Sequence, residues 1–418
     1  MNSLKKSVDH DVMKNKNKLL ALNCILENGP VSRKEVKEKT GLSWSTVSVI
    51  VNDLTEKKII VEKKMNDGHV GRAPLVLDAY SDRNFIIGLD INISGITATL
   101  IDLRCRVVCS SRIQQIEKEK DVVIERIFKL IDSIFEKYST NSKNILGIGI
   151  SMQGAVDSLN GISIYNPYFN NWANVPLKAI FEDKYKIPAF INRSPNCMAL
   201  CERWLGIARG VRNMLFIRQT LGVGIGMSLT INGEIFDGEN SNAGEFGHMT
   251  MKPDGRRCSC GNYGCLETVA SYDSIVWRMI EGIKSGKRSI LTQLSQGSPL
   301  EEMDISLIFK AYSLGDEFCI EVMNEMATYL GIAISNAINI FNPDLVILGG
   351  DLTKYESMYM DRVREVVEMR TWKYSIKSVL VSQITEFSAP IGAAIAIIQK
   401  ICNGELNLNH SELHERFS

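Results

Sequence analysis

Apolar positions in the first 60 residues recur at the three- and four-residue spacing of helices. They form two groups, residues 19–26 and the set Val47, Ile50, Val51 and Leu54. This spacing places apolar side chains on one face of a helix, where they can pack against a core. The pattern therefore predicts two longer helices, and a short polar helix, RKEVKEKT, lies between them.

Residues with strong start and stop preferences set the ends of these helices. Gly29 and the proline after it end the first helix, and Ser32 with Glu35 three residues later is typical of a capping box that opens the second. Gly41 ends the second helix, and the third opens at Ser43. Two helices joined by a tight turn that contains glycine predict a helix-turn-helix. The β-prone segments IIVEKK and PLVLDAY predict a hairpin wing around MNDGHVGRA.

A different rhythm begins at Phe85, where strands alternate with helices. The same strand–turn–strand pattern occurs twice, in FIIGLDINISGITATLIDLRCRVV and in MLFIRQTLGVGIGMSLTINGEIF. Two copies of one unit, each followed by helices, predict a duplicated α/β fold with a cleft between two lobes. We therefore expect a winged helix-turn-helix domain in residues 1–80, a two-lobed domain in residues 81–402 and a polar tail in residues 403–418.

The composition is that of a globular chain without a membrane segment. Of 418 residues, 45% are hydrophobic and 23% are charged, and no apolar run approaches the roughly 20 residues that cross a bilayer. The N-terminus lacks the apolar core of a secretory signal. Ten cysteines, of which only three are clustered, suit a reducing compartment. A cytoplasmic protein is expected. Residues 1–74 hold 14 Lys and Arg against 9 Asp and Glu, a surplus that permits nucleic-acid binding without arguing for it.

Three cysteines and a histidine are concentrated in GEFGHMTMKPDGRRCSCGNYGCLE. His248, Cys258, Cys260 and Cys265 have the spacing H-x9-C-x-C-x4-C. Four ligands of this Cys3His type form a closed tetrahedral site, which is the structural arrangement of zinc. The sequence therefore predicts a structural Zn2+ ion. The alternative is a set of buried or free cysteines near an unrelated histidine.

The same residues carry a resemblance to a known family. Glu-x-Gly-His followed by Cys-x-Cys-Gly-x-x-Gly-Cys-Leu-Glu resembles the signature of the ROK family of repressors, open reading frames and kinases. The family's order is followed by GLDINISGITATLID, GIGISMQGAVD, TLGVGIGMSLTINGEIFDGENSNAGEFGH and NPDLVILGG. The winged helix in front is similar to that of the repressor branch, especially the xylose repressors and the regulators that respond to N-acetylglucosamine and glucose. The resemblance implies an actin-like, sugar-kinase-like fold for the two-lobed domain.

The resemblance also implies a sugar site beside the metal. Glu245, His248 and Glu267 are expected to contact sugar hydroxyls, because carboxylates accept hydrogen bonds from pairs of adjacent hydroxyls. The zinc ion would fix the tautomer and the orientation of His248. Gly154 is expected to add a backbone contact, at a turn where Gln153 replaces the family's proline. Alternatively, the two glutamates cap helices or support the metal ligands.

Kinase members of the family need features that this sequence has changed. Alignment of FINRSPNCMALCERWLG with the motif Glu-Asn-Asp-Ala-Asn places Arg193 at the sugar-binding asparagine and Ser194 at the catalytic aspartate. A serine hydroxyl is not a base near neutral pH without an activating partner. The first phosphate turn, expected as Asp-x-Gly-Gly-Thr, has lost both glycines in residues 90–94. Only the second glycine turn, TLGVGIG, is retained.

The third helix is expected to contact DNA. Its start and outer face carry Ser43, Trp44, Ser45, Thr46 and Ser48, and the N-terminal residues of such a helix enter the major groove. Trp44 either packs on the sugar–phosphate backbone or fills a gap in the protein.

The segment Gly-Arg-Ala-Pro at the wing resembles a linker motif of the family. Its Arg72 is expected to enter a narrow minor groove, where the potential is most negative. An interdomain salt bridge is the alternative.

The resemblance thus implies a repressor of carbohydrate utilisation genes, not an enzyme, with xylose as the first expectation for its effector. We expect it to bind an inverted-repeat operator as a homodimer or tetramer and to be released by a sugar. Two alternatives remain: an ATP-dependent sugar kinase with a regulatory N-terminal domain, and a sensor of a phosphorylated sugar or another protein.

Overall fold

The computed structural model of this chain consists of two compact units. It describes residues 2–64, 75–80, 84–114, 117–138, 145–222, 224–295, 299, 305–375, 378–384, 387–403 and 405–406, with the backbone alone for residues 2–12 and 27. One unit comprises Met1–Arg193 and Ala389–Ser418, and the other comprises Ser194–Ser388. Among the described residues, none of the helices has the length and apolar character needed to cross a membrane.

The first unit begins with the winged helix-turn-helix that the sequence predicts. Its elements are α1 (Asn2–Asn28), α2 (Arg33–Thr40), α3 (Trp44–Glu56), β1 (Ile60–Lys64) and β2 (Leu75–Ala79). The predicted capping box is present, because the Ser32 hydroxyl accepts a hydrogen bond from the Glu35 N–H at 3.2 Å and the Glu35 carboxylate accepts one from the Ser32 N–H at 2.7 Å. β1 and β2 pair antiparallel, and the residues between them, 65–74, lie outside the described residues.

The helices of this domain enclose an apolar core. Its fully buried members are Ala21, Leu22, Ile25, Val36, Val47, Val51 and Leu54. They include three of the four α3 positions whose spacing predicts a buried face, and the fourth, Ile50, is buried as well.

The remainder of the first unit is built on a five-stranded sheet. Its elements are β3 (Phe85–Asn92), β4 (Gly95–Asp102), β5 (Val107–Ile113), α4 (Lys120–Lys137), β6 (Ile145–Met152), β7 (Ala155–Asp157), β8 (Ile162–Tyr165), β9 (Ala173–Val175), α5 (Leu177–Tyr185) and β10 (Ala189–Arg193). The strand order is β10-β6-β3-β4-β5, with β3, β4 and β5 antiparallel and with β6 and β10 parallel to β3. β7, β8 and β9 form a small separate sheet.

The second unit repeats this sheet. Its elements are α6 (Ser194–Leu205), β11 (Met214–Thr220), β12 (Gly224–Ile231), β13 (Glu234–Ile235), a 3-10 helix (Phe246–His248), α7 (Glu267–Ala270), α8 (Tyr272–Lys284), α9 (Leu291–Leu294), α10 (Ile305–Ser313), α11 (Glu317–Phe341), β14 (Leu345–Gly350), a second 3-10 helix (Asp351–Met358), α12 (Met360–Arg370) and β15 (Val379–Val381). The strand order β13-β12-β11-β14-β15 has the same sequence of antiparallel and parallel pairs as the first sheet. The predicted duplication of an α/β unit is therefore confirmed.

The last helix, α13 (Ser388–Cys402), returns the chain to the first unit. It lies so close to the first sheet that a Cβ added to Gly88 would be 1.9 Å from the Pro390 carbonyl oxygen, and one added to Gly149 would be 2.0 Å from that of Ala393. Two sheet positions must therefore be glycine for the helix to pack there.

Candidate functional site

The cysteine-rich segment is a knuckle held by its own backbone. Thr250 bridges to Cys265, and Arg257 bridges to Tyr263. The turn requires glycine at position 264, where φ is +63° and an added Cβ would lie 1.5 Å from the Lys252 carbonyl oxygen. The three predicted cysteine ligands lie close together in this knuckle.

His248, Cys258, Cys260 and Cys265 converge as the sequence predicts. Their ligand atoms all lie within 4.8 Å of one another. The Cys258 Sγ is 3.7 Å from the His248 Nδ1, and the Cys260 Sγ is 3.7 Å from the Cys265 Sγ. A tetrahedral ion with metal–sulfur distances of about 2.3 Å separates neighbouring ligand atoms by about 3.7 Å. The geometry of this cluster therefore fits a bound metal ion.

A cation would change the electrostatics of the cluster. Burial, followed by the neighbouring thiols of Cys260 and Cys258, raises the pKa of Cys265 to about 12. Cysteines bind metals as thiolates, so a cation among these sulfur atoms would compensate for the unfavourable ionisation of Cys265.

Two glutamates flank the histidine of the cluster. The Glu245 Oε2 lies 3.8 Å from the His248 Nε2, and the Glu267 Oε2 lies 3.9 Å from its Nδ1. Because the Nδ1 faces Cys258, the Nε2 is the ring nitrogen that remains on the side of Glu245. The structure thus brings together three of the four predicted sugar contacts.

Gly224 of the retained turn and Gly247 make room for Glu267. The Ile225 N–H donates a hydrogen bond to the Glu267 Oε1 at 3.0 Å. A Cβ added to Gly224 would lie 2.0 Å from that oxygen, and one added to Gly247 would lie 2.8 Å from the Glu267 Cγ. Burial raises the pKa of Glu267, although the Ile225 N–H and then His248 oppose that shift. In this chain the glycine turn therefore positions a carboxylate.

The fourth predicted sugar contact, Gly154, lies in the first unit. It has φ of +92°, and an added Cβ would lie 2.3 Å from the Tyr165 carbonyl oxygen. Only glycine fits this turn without strain. A backbone contact of Gly154 with a sugar stays a prediction.

The turn after β3, where family kinases present glycines to a phosphate, is filled by side chains of this chain. The Asn92 Oδ1 accepts hydrogen bonds from the Ser94 N–H at 2.9 Å and the Gly95 N–H at 3.1 Å. The Ile93 N–H donates to the Gln153 Oε1 at 3.3 Å. Three successive N–H groups therefore already have acceptors inside the protein, a feature that the loss of the two glycines did not by itself reveal.

In the second glycine turn, a side chain accepts one backbone N–H. The Leu221 N–H donates a hydrogen bond to the Asp351 Oδ2 at 3.1 Å. A carboxylate at this position opposes the approach of a phosphate through like-charge repulsion.

The residues that align with the kinase motif are buried at a strand–helix junction. Arg193 is the last residue of β10, and Ser194 is the first residue of α6. The Asn196 Nδ2, two residues further on, donates to the Asp237 Oδ1 at 2.7 Å. Ser194 thus places a hydroxyl where the family's kinases have a carboxylate.

The predicted DNA-contacting residues surround the start of α3. Ser43 is its N-cap, and the Ser43 hydroxyl accepts from the Thr46 N–H at 3.1 Å and shares hydrogen bonds with the hydroxyls of Ser45 and Thr46. Trp44 is 53% exposed, Ser45 is exposed, and Thr46 and Ser48 are half-buried. At least the Ser43 hydroxyl among these predicted DNA contacts therefore serves to start the helix. Arg72 lies outside the described residues.

The exposed face of α3 extends further than the sequence analysis anticipated. Val49 is 62% exposed, and Asn52, which accepts a hydrogen bond from the Arg33 guanidinium at 3.0 Å, is exposed as well. Val49 lies four residues after Ser45, so the helical spacing could have identified it.

Polar contacts join the winged helix to the first sheet. Arg104, which follows β4, donates hydrogen bonds to the Asp78 carboxylate and to the Gly29 carbonyl oxygen, the latter at 3.1 Å. Lys63 donates to the same carboxylate at 2.8 Å. Burial would raise the pKa of Asp78, but the hydrogen bonds from Lys63 and Arg104 outweigh it and hold that pKa below its usual value. No sequence pattern indicated this contact.

Comparisons with known proteins agree with the fold. The ROK family pattern matches residues 86–400, and a winged helix-turn-helix DNA-binding pattern matches residues 14–61. The xylose repressor of Caldicellulosiruptor bescii is 30% identical over 394 residues, covering 93% of this chain and 97% of that protein. The N-acetylglucosamine repressor of Escherichia coli is 28% identical over 400 residues, 95% of each chain.

Solved structures give the same result. A ROK family transcriptional regulator, described as a homolog of the E. coli MLC protein, superposes with a TM-score of 0.82 at 26% identity, covering 96% of this chain and 99% of that one. A ROK glucokinase from Streptomyces griseus, in complex with glucose and AMPPNP, has a TM-score of 0.66 at 22% identity over 76% of this chain and 100% of its own. That second similarity shows the fold alone. The chain belongs to the ROK family and carries a winged helix-turn-helix DNA-binding domain in front of its ROK domain.

Proposed function

We propose that this protein is a sugar-responsive transcriptional repressor of carbohydrate utilisation genes, with xylose as the first candidate effector. The observation that carries the proposal is a contrast between two parts of the ROK domain. His248, Glu245 and Glu267 form a polar cluster suited to sugar hydroxyls. In both phosphate turns, by contrast, side chains of the chain itself accept backbone N–H groups. The names of its relatives, a xylose repressor and an N-acetylglucosamine repressor, support the same function.

The metal ion of the cysteine cluster is zinc in this proposal. A Cys3His set with sulfur atoms 3.7 Å apart suits a closed structural zinc site. The ion would supply a fixed positive centre that orients the His248 ring and locks the knuckle. His248, through its Nε2, then presents a ring N–H toward the Glu245 side, where a sugar hydroxyl accepts it.

The protein binds and releases rather than phosphorylates. A kinase needs a base for the sugar hydroxyl and open backbone N–H groups for ATP. Ser194 stands at the position of the base, and Asn92 and Gln153 already accept the N–H groups of the first turn. Sugar binding is therefore retained without phosphoryl transfer.

The output of sugar binding is release from operator DNA. α3 enters the major groove through Trp44, Ser45 and neighbouring residues, and Arg72 reaches the minor groove. By linkage, operator DNA must weaken sugar binding by the same factor by which sugar weakens DNA binding. The operator is an inverted repeat that is read by two copies of the chain in the cytoplasm.

The test is fluorescence anisotropy of the full chain on the DNA upstream of its own gene, titrated with D-xylose, D-glucose and N-acetyl-D-glucosamine. Release by one sugar supports the repressor and identifies its inducer. Tight binding that no free sugar affects indicates a phosphorylated sugar or a protein effector instead. Absence of specific DNA binding contradicts the proposal, and an ATP-turnover assay then tests the kinase alternative.

A further inference from the structure

After Trp44 at its first position, the exposed residues of α3 form one stripe along the helix. Ser45, Val49, Asn52 and Glu56 are exposed, and their spacings of four, three and four residues place them on the same side. The opposite side is the buried face of the helix. Because Glu56 lies at the C-terminal end, the part of the stripe from Ser45 to Asn52 carries no charge.

Val49 is the apolar member of this stripe. Its side chain is 62% exposed, so it gains little from burial, and valine is a comparatively weak helix former. The helix is capped by Ser43 and packed through its buried face, and neither function requires a valine at position 49. A partner that offers an apolar group would remove this side chain from water.

The carboxamide of Asn52 is held in one orientation by a charged pair. The Arg33 Nη2 donates a hydrogen bond to the Asn52 Oδ1 at 3.0 Å and another to the Glu62 Oε2 at 3.2 Å. The Arg33 Nε donates to the Glu62 Oε1 at 2.9 Å, which fixes the guanidinium itself. A guanidinium can only donate, so the amide atom that faces it must be the oxygen. The amide nitrogen then lies on the side away from Arg33, and the second lone pair of Oδ1 can accept a further hydrogen bond.

The chemistry of these two side chains matches one kind of base pair. In the major groove, only thymine presents a methyl group, and only adenine presents a donor, N6, beside an acceptor, N7. An amide that both accepts and donates satisfies both groups of adenine, whereas guanine offers it acceptors alone. Side chains three residues apart on a helix have Cβ atoms about 5–6 Å apart, and successive base pairs are about 3.4 Å apart. Val49 and Asn52 can therefore reach the same base pair or two adjacent ones.

We propose that Val49 and Asn52 read A·T base pairs in the major groove of each operator half-site. The methyl groups of Val49 contact the C5-methyl group of a thymine. The Asn52 Nδ2 donates to N7 of an adenine, and the Asn52 Oδ1 accepts from its N6 amino group. This inference rests on the proposed function, because it requires that α3 enters the major groove of an operator.

The experiment measures fluorescence anisotropy of the full chain on the DNA upstream of its own gene, at one salt concentration. In one series of duplexes, each thymine in turn is replaced by uracil, which removes only the C5-methyl group. In a second series, each adenine in turn is replaced by 7-deazaadenine, which removes N7. Both series are titrated with the unaltered chain, Val49→Ala and Asn52→Ala. Leu159→Ala is the matched control, because Leu159 is an 85% exposed apolar residue of the same unit outside the DNA-binding domain.

For the unaltered chain, uracil at one thymine of a half-site should weaken binding about fourfold, the effect of one methyl group lost from an apolar contact. At the same or the adjacent base pair, 7-deazaadenine should weaken it about fivefold or more. Val49→Ala should abolish the effect of uracil at that position, and Asn52→Ala should abolish the effect of 7-deazaadenine, while the effects at other positions persist. Leu159→Ala should reproduce the unaltered chain at every position.

Melting temperatures of the variants show whether each has folded. Asn52→Ala leaves Arg33 its two hydrogen bonds to Glu62, and Val49→Ala tests the inference without any change to that contact. If Val49→Ala and Asn52→Ala bind with the same pattern of uracil and 7-deazaadenine effects as the unaltered chain, the inference is overturned and the repressor function stands. If the unaltered chain does not prefer this DNA to unrelated DNA, the proposed function fails and the inference fails with it.

Discussion

The Nδ1 of His248 lies 3.7 Å from the Sγ of Cys258, so this ring nitrogen is part of the cysteine cluster. The other ring nitrogen, Nε2, lies 3.8 Å from the Glu245 carboxylate. One side chain therefore connects the proposed zinc ion to the proposed sugar site. Any change that frees this ring should impair both.

Removal of one thiolate ligand should remove the metal. We expect Cys260→Ser to lose most of a zinc ion that the unaltered chain holds at one per molecule, because three ligands bind it far more weakly than four. The free energy of unfolding should fall by roughly 3 kcal/mol. Metal analysis and thermal unfolding measure both effects.

Cys109→Ala is the control, because this thiol lies outside the cluster on β5. It should keep the full zinc content. An unaltered chain purified without zinc, under conditions free of chelator, would contradict the assignment of the cluster as a zinc site.

The carboxylate of Glu267 should be needed for sugar binding. Glu267→Gln keeps an oxygen that can accept the Ile225 N–H and keeps the side-chain volume, but it loses the negative charge. A hydrogen bond to a charged group contributes about 1.5–3 kcal/mol, so we expect the affinity for the effector sugar to fall about 10- to 100-fold by calorimetry.

Glu239→Gln, an exposed glutamate of the same unit, should leave the affinity unchanged. Equal sugar affinity of Glu267→Gln and the unaltered chain would mean that Glu267 only supports the turn at Gly224. That outcome would favour the structural alternative raised from the sequence.

Local sequence patterns predicted the elements whose causes are local. The capping box at Ser32, the buried face of α3 and the glycine at position 41 follow from residues within one or two helical turns. The duplicated sheet was also predictable, because strand alternation and turn glycines recur in both copies. The cysteine spacing predicted the metal cluster because all four ligands lie in one short segment of the chain.

Contacts between residues that are far apart in the chain could not be predicted from the sequence. Arg104 and Asp78 are 26 residues apart, and Leu221 and Asp351 are 130 apart. Residues at such separations have no periodicity that pairs them. Asn92 illustrates a second limit, since the sequence showed which glycines were lost but not that an amide would occupy the turn.

Two substitutions should separate the DNA contacts from each other. Ser45→Ala on α3 should weaken binding to the natural operator by about 1 kcal/mol while it leaves binding to unrelated DNA unchanged, because base contacts specify sequence. Arg72→Ala should weaken binding and reduce the slope of log affinity against log salt concentration by about one. Anisotropy titrations at several salt concentrations measure both quantities.

Glu56→Gln, at the far end of α3, serves as the control and should bind as the unaltered chain does. If Arg72 forms an interdomain salt bridge instead, its substitution should lower thermal stability and leave the salt slope intact. If Ser45→Ala leaves the operator affinity unchanged, the Ser45 hydroxyl is not part of the DNA interface.

The contact between Arg104 and Asp78 should transmit sugar binding to the DNA-binding domain. Arg104 connects the first sheet to Asp78 of β2 and to the Gly29 carbonyl oxygen before α2. Arg104→Met keeps much of the aliphatic stem but loses both hydrogen bonds. We expect sugar affinity and operator affinity, each measured alone, to change less than about threefold, because neither ligand touches this residue.

The quantity that should change is the factor by which the effector sugar weakens operator binding. Allosteric coupling typically amounts to about 1–3 kcal/mol, and loss of its main polar link should reduce the factor several-fold. Arg106→Met is the matched control, since Arg106 pairs with Asp102 across the turn between β4 and β5 and should leave the coupling intact. If Arg104→Met releases operator DNA with sugar as fully as the unaltered chain, the signal must travel by another contact, and the buried end of α13 at Cys402 becomes the next element to alter.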